Sequence, residues 1–170
     1  MYPQVFAGVR AANGEAMTTE AHLVTELGML NVRAQGPAIA GIWLVTGGSE
    51  FPRAGWNDFV VVVLGWWSSA ILRLLENNSG MERVYFMDGP YSVEVSKAQS
   101  GRLQLRMFAG PSGGREVAVG EADIKRFVSE LASQSRKLLD KCRLREWWSP
   151  DAEALASQLH DLDRELAAWR

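Results

Sequence analysis

The sequence predicts an α+β domain in which an antiparallel sheet of about five to six strands packs against one central and two C-terminal helices. Three observations carry that expectation. Alternating runs between residues 83 and 119 are separated by glycine-rich turns, an apolar run from 59 to 75 repeats at helical spacing, and two amphipathic stretches with capping residues close the chain. With 170 residues, 47% of them hydrophobic and 22% charged, the chain is read as a single domain over 1–170. Residues 1–19 show little periodicity and are expected to be a frayed N-terminal segment.

Residues 20–33 are permissive for a strand, with Leu27, Met29 and Asn31 on one side, and a helix over 18–27 is the competitor. Residues 38–46 are rich in strand formers and lie between Gly36-Pro37 and Gly47-Gly48-Ser49, so the two runs are expected to pair as a hairpin. A loop over 47–56 follows. The run from Asn57 contains four valines in succession, yet Phe59, Val62, Val63, Trp66, Ala70, Ile71, Leu74 and Leu75 recur at helical spacing. The reading favours a helix capped by Asn57 or Asp58 and stopped by Asn77-Asn78-Ser79-Gly80; a strand over 58–64 followed by a helix from 66 is the alternative.

Asp88-Gly89-Pro90 turns the chain between two strand-like runs, and Val93 and Val95 alternate with Ser92, Glu94 and Ser96, the pattern of a sheet with one wetted face. Leu103, Leu105 and Met107 alternate likewise, and 110–114 turn into a fourth strand, completing a meander. From Glu121 onward, Ile124, Phe127, Val128, Leu131, Leu138 and Cys142 share one helical face, with Glu121 and Asp123 in the first turn and Lys141, Arg143 and Arg145 in the last, as the helix dipole favours. Ser149-Pro150 starts a second helix whose Leu155, Leu159, Leu162, Leu166 and Trp169 form one stripe.

Composition narrows the function. With 18 basic against 20 acidic residues, the net charge of −2 supplies no general field for phosphates, so nucleic acid is not an expected partner. A single cysteine precludes an internal disulfide and points to a reducing, cytoplasmic setting. Residues 1–14 hold Arg10 as their one basic group and have no apolar core of signal length, so no export signal is read. The longest apolar run is broken by Gly65 and Ser68-Ser69 and closed by Arg73, short of the ~20 residues a membrane span needs, so no membrane is expected either.

Candidate chemistry is sparse. His22, His160 and Cys142 are too few and too dispersed for a metal site, and no cofactor is expected. No serine occupies a nucleophile elbow, the glycines at 110, 113 and 114 are turn glycines, and Cys142 on an apolar helical face reads as a structural thiol. Catalytic residues are therefore expected to be none. Asp88 reads first as a turn residue; a small enzyme or small-ligand domain using Asp88, Tyr91 or Asp58 in a cleft between sheet and helix is the alternative function.

Two features suggest a binding surface instead. The seven tryptophans include the doublets 66–67 and 147–148; Trp43, Trp66 and one of Trp147 or Trp148 are assigned to the core, and because a helix cannot bury both rings of a doublet on one face, one member of each doublet is assigned to a rim, Trp148 being the candidate anchor. Along the last helix Asp151, Glu153, Asp161, Asp163 and Glu165 meet a single arginine, Arg164, and make a candidate acidic face for a basic partner. The leucine stripe would also serve a homodimer.

The order of these elements, with an apolar helix opened by W-N-D-F and a meander containing M-D-G-P-Y, resembles small bacterial immunity proteins encoded beside polymorphic or contact-dependent toxins. Trp56, Asp58, Trp67 and Asp88-Gly89-Pro90-Tyr91 carry the resemblance over about residues 20–168. It implies a cytoplasmic protein without catalysis of its own, whose partner is one cognate toxin domain that it plugs or covers.

Overall fold

The computed structural model describes residues 20–77, 80–99 and 101–170. Strands β1 (His22–Asn31), β2 (Ile39–Thr46), β3 (Ser49–Phe51) and β4 (Asn57–Phe59) precede helix α1 (Val60–Glu76). Strands β5 (Met81–Tyr85), β6 (Tyr91–Ala98), β7 (Arg102–Ala109) and β8 (Arg115–Asp123) follow, then helices α2 (Ile124–Leu144) and α3 (Pro150–Ala168). The fold is α+β, but with two four-stranded antiparallel sheets where one larger sheet was expected. The difference arises at β2. One of its edges pairs with β1; the other pairs with β3 at Leu44–Thr46 and with β4 at Ile39–Gly41, two three-residue strands too short to show a period. The N-terminal strands thus close around β2, and α1 carries the chain to the separate meander β5-β6-β7-β8.

In β1 the pairing shifts between Glu26 and Asn31, so Leu30 is buried and Met29, expected beside Leu27, is 76% exposed. The helix reading of the valine run holds from Val60, but the start differs. Phe59 occupies the N-cap position with no side-chain cap, because Asp58 lies in β4 and spends its carboxylate elsewhere. The buried side of α1 runs through Val60, Leu64, Trp67, Ile71 and Leu74, and Trp66 is the exposed member of its doublet, reversing the assignment made from periodicity. Both α3 and the sheets press on α1, so the covered arc is wider than one stripe and turned from it.

Strand β8 continues through Glu121, opposite Gln104, so α2 begins three residues later than its charges suggest; Asp123 caps it by accepting the Arg126 N–H at 2.9 Å. Ser149 caps α3, accepting the Ala152 N–H at 3.1 Å, with Pro150 in the first turn. Leu155 and Leu162 of the leucine stripe are buried, and Leu159, Leu166 and Trp169 pack partly against the same core, so the stripe is turned inward. That core is continuous across both sheets: Ile42 and Leu44 of β2, Val93 and Val95 of β6 and Leu105 and Met107 of β7 meet Trp67, Phe127 and Leu138 of the helices. Trp43, read as core, is half-buried on β2.

Candidate partner-binding site

The two motifs behind the resemblance lie 29 residues apart yet meet in one joint between the sheets. Asp58 is 2% exposed and accepts four N–H groups: its own neighbour Phe59 at 2.7 Å, Met87 at 3.0 Å, Asp88 at 3.3 Å and the Trp56 indole at 3.3 Å. No ion pair reaches it among the described residues; three backbone N–H groups and one indole N–H hold it. Beside it Trp56 packs edge-on to Tyr91, 5.1 Å between centroids, and Tyr91 to Phe51 at 5.7 Å. Gly89 closes the turn at φ +82°, where a Cβ would come within 2.7 Å of the Tyr91 ring. Asp58 and Tyr91 are therefore occupied in packing, and Asp88 contributes its backbone N–H to the joint while its side chain lies exposed. The three hollows described below are lined by other residues.

Helix α3 distributes its acids around the axis. Asp163 receives both contacts of the Arg136 guanidinium from α2 at 2.7 Å, Asp161 pairs with Arg164 at 3.0 Å, and Glu165 lines a hollow of about 560 Å3 with Trp169, Lys97 and Lys125. Both lysines there serve helix ends: Lys97 donates to the carbonyls of Leu75 and Asn77, and Lys125 to that of Trp169. Asp151 and Glu153, at the other end of α3, stand exposed beside Trp148 in sequence and share the first turn.

Of the sequence-derived residues, the structure brings Trp148 and Glu153 into contact. The corner between α2 and α3 is tightly drawn: the Cys142 carbonyl accepts the N–H groups of Arg145 and Trp147, and Glu146 adopts φ +54°. Trp147 turns inward, 8% exposed, and donates its indole N–H to the Gly36 carbonyl at 3.1 Å, tying the corner to the β1–β2 loop. Trp148 turns outward, 40% exposed, under the Arg143 guanidinium at 4.6 Å, and donates its indole N–H to Glu153 at 2.8 Å. Leu144, at the end of α2, is 82% exposed.

The chain matches no known protein family model, no curated protein and no solved structure. Among the described residues no three His, Cys, Asp or Glu side chains gather as metal ligands, and no helix is long and apolar enough to cross a membrane. Cys142 is buried, and desolvation pushes its thiol up from the usual value.

Sequence reasoning missed the surface that α2 shares with β1. Two adjoining hollows of about 390 and 480 Å3 run between them. His22 meets Glu130 at 3.1 Å, and Thr25 is hydrogen-bonded to Gln134 across the floor. The basic excess of α2, carried by Lys137 and Lys141 among others, was legible; that those lysines face a strand was not.

Proposed function

We propose that this chain is a non-enzymatic binding protein of the immunity type, acting in the cytoplasm by covering a cognate bacterial toxin domain. The α2–α3 corner is the contact, with the acids at the start of α3 steering a basic partner. The observation that supports this most is Trp148. Its ring is exposed, yet Arg143 stacks on it and Glu153 fixes its indole N–H, so it presents a large apolar face without losing rotamer freedom on binding. Leu144, four residues before Trp148, adds a second exposed apolar side chain at the corner, and Asp151 and Glu153 supply charge at the start of α3.

The test is co-purification with the toxin domain encoded beside this gene. A complex at micromolar concentration that Trp148→Ala weakens by about thirtyfold, the loss typical of an interface anchor, is the expected result. No complex at micromolar concentration overturns the reading. A complex indifferent to Trp148→Ala moves the contact away from the corner.

A further inference from the structure

The groove between β1 and α2 has a charge pattern that specifies what it would take. Its two carboxylates are already neutralised: Glu130 contacts Arg126 and His22, each at 3.1 Å, and Asp140 pairs with Arg143 at 3.3 Å. Its lysines are not. Lys137 and Lys141, one helical turn apart on the same wall, make no ion pair or hydrogen bond among the described residues. Apolar surface lies between them and the strand, where buried Leu27 and exposed Leu144 line the same hollow.

The length of the groove sets the scale of the occupant. The two hollows share Gln134 and Lys137, and together they follow α2 from Ser129 to Leu144, about 22 Å at the rise of an α-helix. An extended chain of about seven residues spans the same distance.

We infer that the β1–α2 groove receives an extended acidic segment of the partner protein, with carboxylates on Lys137 and Lys141 and an apolar side chain between Leu27 and Leu144. The inference rests on the binding-protein reading and deepens it, since the groove ends at the corner that carries Trp148. It is independent of which toxin the partner is.

The probe is a fluorescein-labelled eight-residue peptide alternating glutamate and leucine, with a lysine–leucine peptide as control, titrated by anisotropy against the full chain. The acidic peptide is expected to bind at least about tenfold more tightly than the basic one. The double variant Lys137→Glu, Lys141→Glu, at two exposed helical positions, reduces that binding by at least about tenfold with an unchanged circular dichroism spectrum. Amide shifts in the NMR spectrum should fall on residues 22–27 and 129–144. Equal affinity for the two peptides, no binding of the acidic peptide at about 1 mM, undiminished binding by the double variant, or shifts confined to the β5–β8 face would each overturn the groove. So would sedimentation of the protein with phosphatidylserine vesicles while neither peptide binds, which assigns the lysines to a lipid surface. A toxin complex that forms while the acidic peptide fails discards the groove alone; peptide capture at the groove without a toxin complex discards the immunity reading alone.

Discussion

The Asp58 carboxylate, in β4 of the first sheet, accepts the backbone N–H of Met87, in the β5–β6 turn of the second, at 3.0 Å, and that of Asp88 through the same oxygen at 3.3 Å. The bond turns a residue placed by sequence to cap a helix into the joint between the two halves of the fold. It also explains why the aspartate of W-N-D-F and the backbone of M-D-G-P-Y, rather than their exposed groups, are what the two motifs have in common.

Asp58→Ala is expected to destabilise the protein by about 3 kcal/mol in urea unfolding, because four N–H donors lose a charged acceptor and some remain buried without a partner. Asp58→Asn keeps one acceptor oxygen and should cost less. A change under about 0.5 kcal/mol for the alanine variant, the range of ordinary surface substitutions, would contradict the joint.

Gly120 stands where β8 crosses β2, and a Cβ there would overlap the Thr46 hydroxyl and lie 3.0 Å from the Thr46 Cβ. Gly120→Ala should therefore force the sheets apart, at a cost of about 1–3 kcal/mol and a fall in Tm of about 5 °C. An unchanged melting curve would show that the crossing has slack.

The tryptophan doublet on α1 offers a direct check on which side of the helix is covered. Trp67 is fully buried against Phe127, ring centroids 5.5 Å apart, while Trp66 is 39% exposed. Trp67→Ala should cost about 3–5 kcal/mol and Trp66→Ala less than about 1 kcal/mol. The reverse order in chemical denaturation would restore the face that periodicity suggested.

Acid should loosen the chain's first described residue. Glu20 accepts the Asp123 N–H at 2.8 Å and the Arg102 guanidinium at 2.7 Å, and its carboxyl titrates below the usual 4.5, first through the backbone hydrogen bond and then through the one from Arg102. A lowered acid value means that this stabilisation is complete above pH 4.5 and fades as pH drops through the folded value. Glu20→Gln should flatten the stability profile below pH 4.5 and leave its slope at neutral pH unchanged, which unfolding at a series of pH values measures. An identical acid slope in wild type and variant would remove Glu20 from the acid response.

Where elements announce themselves locally, the chain was readable. The alternation in β6 and β7, the turns at 88–90 and 110–114, and the Ser149-Pro150 start of α3 each depend on residues within a few positions of one another. The outward turn of one ring at 147–148 was legible for the same reason, because the two rings of a doublet cannot share one face; that Trp147 is the inner one and Trp148 the outer was decided by the tertiary structure. Leu144 and the groove lysines carry no comparable local mark; an exposed leucine and a basic helix turn are ordinary until a strand is set opposite them.

By itself, then, the amino-acid order determined the class of the domain, most element positions and the N-cap of α3, since propensity, period and capping act over a turn or two of chain. The tertiary structure decided that the strands divide into two sheets, that Asp58 joins them, that Trp67 rather than Trp66 is inside, and that Lys137 and Lys141 line a groove. Those outcomes depend on which distant surfaces come into contact: a three-residue strand is stabilised only by its partner, and the buried arc of a helix is set by how many neighbours press on it.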